Sequence, residues 1–535
     1  MTPSYIHGPS ETPLLGETIG QCLDRIVAKF PESDALVSCH QRIRYTWREL
    51  YRQVETVARG IMSLDVQRGD RVGMWSPNCA EWLIAQYALA KIGAIMVNIN
   101  PAYRLRELEH ALMQSGVSVL ISARGFRNTN YVAMIDELAP KLSVLKTVIY
   151  TDRDWHDLIS RADTVPVSQL RAREQSLQFD DAASIQYTSG TTGTPKGATL
   201  SHHNILNNGF FVGERLQYTS ADRICLPVPF YHCFGCVLGT LAALTHGSAI
   251  VLPSESFDAE ASLRAVQDER CTSLYGVPTM FIAELDHPSF SSYRLDTLST
   301  GIMAGAPCPV AVMRQVIERM HMRDVTICYG MTETSPVSFQ TCPDDAIEAR
   351  VSTIGAIHPH VECKVIDPAT GNVVPRGETG ELCTRGYLVM LGYWNNPEAT
   401  AAAIDTARWM HTGDLAVMRD DGYVNIVGRL KDMIIRGGEN IYPREVEEFL
   451  HTHPKIGDVQ VFGVPDRKYG EEVCAWIRLR DGQKATEDEI RDYCRGQIAT
   501  YKIPRYVRFT TEFPMTVTGK VQKFRMREEM MRELC

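Results

Sequence analysis

The run YTSGTTGTPKGA, Tyr187 to Ala198, follows a short apolar segment, AASIQY, and is dense in hydroxyls and glycines around a single lysine. Thr188, Ser189, Thr191 and Thr192 offer hydroxyl donors, and Gly190 and Gly193 offer uncrowded backbone amides. Donors of this kind can wrap a polyphosphate. The run is not a Walker loop, which needs Gly-Lys followed by Ser or Thr. Here Pro195 precedes Lys196 and Gly197 follows it. The strand-like segment ahead of it favours a phosphate cradle over a plain flexible turn.

Working outward, the chain alternates helix-like and strand-like stretches. On the N-terminal side, YTWRELYRQVETVARGIMSL has helical periodicity, DRVGMWSP reads as a strand, AEWLIAQYALAKIG as a helix and AIMVNIN as a buried strand. RELEHALMQSG and VSVLIS repeat the cycle. This alternation predicts βαβ units on a mainly parallel sheet. A second run starting near Ala182 predicts a second α/β layer of similar build, through RICLPVP, AIVLP, LSTGIMAGAP and VTICYG. From about Ile354 the texture changes to short alternating strands with Gly-rich turns, and RDDGY reads as a hairpin turn. The last hundred residues read as a separate α+β unit. There Pro443 suits a first helical position and Thr486 with Glu489 forms a capping-box pattern.

The bulk properties narrow the function. The chain has 535 residues, enough for two to four folding units, with 44% hydrophobic and 22% charged residues and a net charge of −9. An acidic balance without a basic run argues against nucleic-acid binding. Fifteen cysteines in this length are sparse and odd in number, which predicts free thiols in a reducing compartment. The C-x-x-C of Cys233 and Cys236 has no second ligand pair at zinc-finger spacing and reads as a packed segment. The first residues, MTPSYIHGPSETPLLGETIG, have no apolar core and no Lys or Arg, unlike a signal or transit peptide. No apolar run reaches the roughly 20 residues of a membrane span. The expectation is a cytoplasmic protein without an integral membrane segment.

Four further motifs follow the Gly/Thr loop in order: YGMTETSP at Tyr329–Pro336, HTGD at His411–Asp414, GRLKDMIIRGGENIYPREVE at Gly428–Glu447, and TVTGKVQK at Thr516–Lys523. The set covers most of the chain and resembles the adenylate-forming enzymes: acyl-CoA synthetases, adenylation domains and luciferases. LYGVPTMF, RGYLVMLGYW and HTHPK extend the resemblance to the medium-chain acyl-CoA synthetases and their bacterial relatives. It implies an α/β fold with a large N-terminal domain, residues 1–430, made of two βα-layered subdomains and a small β-rich one. A smaller mobile α+β domain, residues 431–535, would follow, hinged at Lys431. It also implies ATP, Mg²⁺ and coenzyme A, with an acyl-AMP intermediate and release of pyrophosphate and then AMP. The chain begins directly before its first domain, which fits a bacterial cytoplasm.

The chemistry asks for these residue types. A carboxylate attacking an α-phosphate meets charge repulsion, so the site must neutralise charge and align reactants. The resemblance puts Glu333 on Mg²⁺, Thr332 on phosphate, and Tyr329, Gly330 and Met331 at the nucleotide, with Gly305, Ala306 and Pro307 on the other side of the adenine. Asp414 can accept from two ribose hydroxyls, with Arg429 beside it. Lys520, a compact cation, would bridge the acyl carboxylate and the α-phosphate, and Thr188 would act with it. After rotation, Arg436–Asn440, with Gly437, Gly438 and Glu439, would line a thiol tunnel. Gly437 and Gly438 read equally as a tight turn. His232 would gate the acyl site, and a packed histidine is the alternative there. His411 has no assigned role.

Phe234, Cys236, Gly239, Met280 and Phe281 would line an apolar tail pocket. The bulky Trp gate carried near this point by long-chain bacterial synthetases is absent, so a medium-chain fatty acid is the expected substrate. An aryl or branched acid, and a carrier-protein thiol in place of coenzyme A, are the alternatives. A monomer and a homodimer both remain open.

Overall fold

The computed structural model describes residues 2–188, 195–306, 308–437, 439–515 and 521–534. They form two compact units. One comprises Ile6–Cys363 and Thr384–Met410, the other Met1–Tyr5, Lys364–Cys383 and His411–Cys535.

The larger unit is α/β, built on two big sheets. The first has seven strands in the order Gly392–Tyr393, Lys196–Ser201, Ala182–Thr188, Ile95–Asn98, Arg71–Trp75, Val119–Ser122 and Thr147–Tyr150. Its central strands are parallel. Every residue of Ile95–Asn98 and Val119–Ser122 is buried, as expected of strands covered on both faces. The helix Ala80–Ile92 is buried all round, whereas Trp47–Met62 is amphipathic and opens with a Thr46/Glu49 capping box.

The second sheet has nine strands, in the order Ala356–Ile357, Val337–Gln340, Asp324–Gly330, Thr300–Ala304, Ser273–Gly276, Arg223–Cys225, Ala249–Leu252, Asp34–Ser38 and Ile43–Thr46. Both layers read from the sequence exist, but strand membership differs from chain order. Ala182–Thr188 joins the first sheet, with Gln186 opposite Asn98, rather than opening the second. Asp34–Ser38 and Ile43–Thr46 extend the second sheet. Parallel neighbours meet across long sequence separations, so local apolar pattern does not decide which sheet a strand enters.

The loop quoted at the outset connects two antiparallel strands. Ala182–Thr188 pairs with Lys196–Ser201, ending with Thr188 opposite Lys196. A helix, His202–Arg215, begins only after that second strand and is capped by Ser201. The strand–loop–helix order of a Walker motif is therefore absent, as the residues around Lys196 already indicated.

The change of texture near Ile354 corresponds to a five-stranded sheet in the order Tyr5–His7, Val361–Ile366, Thr379–Gly386, Met410–Met418 and Val424–Arg429, most of whose residues belong to the smaller unit. The last two strands form the hairpin expected at RDDGY, closed by Arg419 N–H donating to Tyr423 O at 2.8 Å. The C-terminal part is α+β. Ile456–Asp466 and Gly470–Leu479 pair over their length, and Tyr506–Phe509 adds in parallel. Pro443 occupies the first position of the helix Pro443–His451, and the Thr486 hydroxyl accepts from Glu489 N–H at 3.2 Å. No helix among the described residues is long and apolar enough to cross a membrane.

Candidate functional site

The larger unit gathers Thr188, Lys196, Thr332 and Glu333. Thr188 and Lys196 face each other at the mouth of the hairpin. Two anchors hold its base: Tyr187 Oη donates to Gln114 Oε1 at 2.9 Å, and His110 Nε2 lies 3.0 Å from Pro195 O. Glu333 sits in the one-turn helix Thr332–Thr334 and is 6% exposed. Its Oε1 accepts from Tyr393 Oη at 2.8 Å and from Thr188 Oγ1 at 3.5 Å. Tyr393 lies on the edge strand that pairs with Lys196–Ser201, and Lys196 Nζ stands 5.1 Å from the centre of its ring. Burial and the neighbouring Glu333 carboxylate both raise the Tyr393 phenol pKa, so it remains a proton donor at neutral pH.

Around this group, Tyr329 and Gly330 end the strand Asp324–Gly330. Tyr329 is half-buried, edge-on to Phe339 at 6.3 Å. Gly330 is required by contact: a Cβ there would stand 1.7 Å from Pro336 O. Gly305 and Ala306 are exposed just beyond the strand Thr300–Ala304.

His232 is half-buried, and its Nδ1 accepts from Phe234 N–H at 3.1 Å, which leaves Nε2 to carry the proton of the neutral ring. The adjacent Cys233 sulfur is 3.8 Å from Thr332 Oγ1, so the PFYHCFG segment reaches the Glu333 turn. Burial pushes the Cys233 thiol up to about 12 and holds the Cys236 thiol well above its ordinary value, and neither is in a disulfide. The packed reading of this C-x-x-C therefore holds. Phe234 stacks on Tyr275, and Phe281 is fully buried.

Met331 follows Gly330 in the larger unit, and the smaller unit holds Asp414, Arg429, Lys431, Gly437 and Glu439. The hairpin places Asp414 opposite Arg429, with Arg429 Nε 2.9 Å from Asp414 Oδ1. Lys431 is exposed in the turn Leu430–Asp432. Gly437 has a φ of +61° in a hairpin where Arg436 pairs with Glu439, the left-handed turn position that glycine suits. Arg436 binds Glu472 through two hydrogen bonds, at 2.7 and 3.0 Å. From the TVTGKVQK motif, Lys523 Nζ binds Glu447 Oε1 at 2.6 Å and Val461 O at 2.9 Å. Ser189, Gly190, Thr191, Thr192, Gly193, Pro307, Gly438 and Lys520 lie outside the described residues.

Sequence reading missed Tyr393 and the two anchors of the loop. The LGYW stretch around Tyr393 carried no local sign that its phenol meets a glutamate 60 residues away. Chemically, the Glu333 group combines a buried carboxylate, a held phenol, a hydroxyl and a lysine, a set suited to phosphate and a hard cation.

The chain matches two family models: the AMP-binding enzymes over residues 23–394 and the AMP-binding enzyme C-terminal domain over residues 445–520. It is 49% identical to YngI of Bacillus subtilis (strain 168) over 536 residues, 96% of this chain and 97% of that one. It is 46% identical to the mitochondrial medium-chain acyl-CoA ligase ACSF2 of Danio rerio over 555 residues, 100% of this chain and 92% of the relative. Among solved structures, ATP-bound MatB from Rhodopseudomonas palustris superposes with a TM-score of 0.85 at 27% identity, covering 96% of this chain and all of that one.

Proposed function

The chain belongs to the AMP-binding enzymes and is an ATP-dependent acyl-CoA ligase, and we propose that the acid it activates is a medium-chain fatty acid. The acid's carboxylate attacks the α-phosphorus of ATP and pyrophosphate leaves. The thiol of coenzyme A then attacks the acyl-AMP carbonyl and AMP leaves. The observation that carries the site assignment is the buried Glu333 carboxylate, held by Tyr393 beside Thr188 and Lys196.

Mg²⁺ fits this group. Glu333 Oε1 is oriented by the phenol, while Oε2 accepts no hydrogen bond among the described residues, which leaves one carboxylate oxygen for a hard cation. Glu333 would hold the ion, which supplies charge neutralisation on the phosphates. Thr188, Thr332 and Lys196 would bind phosphate oxygens, with Ser189 to Gly193 completing the cradle. Tyr329, Gly330, Met331, Gly305, Ala306 and Pro307 would hold the adenine. Asp414, with Arg429, would take the ribose. His232 would present Nε2–H at the acyl site, and Lys520 would position the attacking carboxylate against the α-phosphate. We place the domain boundary at 430/431, with Lys431 as hinge and Gly437–Glu439 on the thiol path. A cytoplasmic location completes the reading.

The medium-chain assignment draws on ACSF2 and on the absence of a bulky gate near Cys236. The test is a panel of straight-chain acids from acetate to palmitate, with aryl and branched acids beside them, supplied with ATP and Mg²⁺ and followed by AMP formation with and without coenzyme A. The expected maximum lies among medium chains and depends on coenzyme A. A maximum on aryl or branched acids would replace the fatty-acid assignment. Lys520→Ala should lose adenylation while thioester formation from supplied acyl-AMP survives. Equal loss of both would remove its assigned role.

A further inference from the structure

In the smaller unit, three side chains of different donor type converge on adjacent strands. Glu381 and Cys383 alternate along Thr379–Gly386 and so face one side of it, and His411 lies on Met410–Met418. His411 Nδ1 is 2.9 Å from Glu381 Oε2 and 3.7 Å from Cys383 Sγ, and the three ligand atoms all lie within 4.8 Å of one another. Cys383 is fully buried and the Glu381 side chain is 9% exposed, while the His411 side chain is 31% exposed and opens the group to solvent.

A neutral imidazole serves only one of these neighbours well at Nδ1. Protonated there, it donates to Glu381, and the Cys383 sulfur at 3.7 Å is at most a weak second acceptor. Unprotonated, it accepts from the thiol and gives Glu381 nothing. A metal ion would bond all three atoms at full strength. Bonds of about 2.0–2.3 Å to N, O and S in a tetrahedron set ligand–ligand edges of about 3.3–3.6 Å. The Nδ1–Sγ separation is already close to such an edge, and the Nδ1–Oε2 separation needs to open by only a few tenths of an ångström. One nitrogen, one thiolate and one carboxylate select a borderline ion such as Zn²⁺ or Co²⁺ over Mg²⁺. The other Glu381 oxygen, Oε1, already accepts from Gly413 N–H at 3.1 Å, an outer hydrogen bond of the kind that orients a metal-bound carboxylate.

We propose that Glu381, Cys383 and His411 form a binding site for Zn²⁺ or a similar borderline divalent ion, separate from the Glu333 group. The ion bonds Glu381 Oε2, Cys383 Sγ and His411 Nδ1, with water in the fourth position. The thiol proton leaves to solvent, and the imidazole keeps its proton on Nε2.

The test is Co²⁺ titration of the full-length protein, reduced with a non-chelating phosphine and free of added nucleotide. One equivalent should produce a thiolate-to-cobalt charge-transfer band in the near ultraviolet, displaced by Zn²⁺. Cys383→Ser should abolish the band, and His411→Gln should weaken Zn²⁺ binding at least tenfold. Absence of the band in the native protein, its persistence in Cys383→Ser, or an unchanged Zn²⁺ affinity in His411→Gln would overturn the site. If Cys383→Ser does not fold, the half-exposed His411→Gln decides alone. Unchanged cobalt spectra and Zn²⁺ affinity in that variant would count against the proposal, and their loss would support it.

Discussion

The phenol of Tyr393 donates a 2.8 Å hydrogen bond to the buried carboxylate of Glu333, from an edge strand paired with the strand that carries Lys196. This bond orients the residue proposed to hold Mg²⁺. Tyr393→Phe keeps the ring under Lys196 and removes only the donor. A hydrogen bond to a charged group contributes about 1.5–3 kcal/mol, so the rate of AMP formation should fall about tenfold or more. The Mg²⁺ concentration needed for half-maximal rate should rise with it. A wild-type Mg²⁺ dependence in this variant would break the link between Tyr393 and the metal ligand.

Asp414 is 7% exposed and paired with Arg429. If its carboxylate takes the ribose hydroxyls, Asp414→Ala should raise KM for ATP by about tenfold or more through lost charge-assisted hydrogen bonds. KM for the acid should change little. A larger effect on the acid than on ATP would assign the residue elsewhere.

Glu284, on the helix Pro278–Leu285, is 1% exposed, and neither carboxyl oxygen is hydrogen-bonded among the described residues. Burial holds its pKa well above the usual carboxylate range. Because the folded value is raised, the neutral group's contribution is full below the unfolded pKa of about 4.3. It is lost progressively as pH rises toward the folded value. Glu284→Leu should therefore raise the apparent Tm, and the gain should grow from pH 5 to pH 8. Glu284→Gln should reduce the pH dependence as well. An equal Leu gain at pH 5 and pH 8 would rule out a buried acid as the cause.

Lys91 has a fully buried side chain whose Nζ lies 2.6 Å from Asp24 Oδ1 and 2.7 Å from Glu174 Oε1, over the ring of Tyr51. Lys91→Met takes the buried cation from Glu174 Oε1, while Arg171 stays on the other carboxylate oxygen at 2.8 Å. The expected loss is about 1.5–3 kcal/mol, read as a lower urea midpoint. Because the cation is buried, salt should change the difference between the two midpoints little. A variant as stable as wild type would mean that water replaces the lysine.

Local chemistry made much of this protein legible in its sequence. Alternating apolar periods marked the strands and helices, Pro443 and Thr486 marked helix starts, and RDDGY marked a hairpin. Each of these signals acts over a few residues, so the chain spells it out. The order of five motifs then identified the family. The tertiary structure decided what depends on distant partners. Ala182–Thr188 entered the first sheet because parallel pairing with Ile95–Asn98 is a contact across the chain that its own composition does not specify. Tyr393 met Glu333, and His411 met Glu381 and Cys383, for the same reason. Side-chain type says what a group can donate or accept, whereas only the folded backbone determines which groups come within 3 Å of each other.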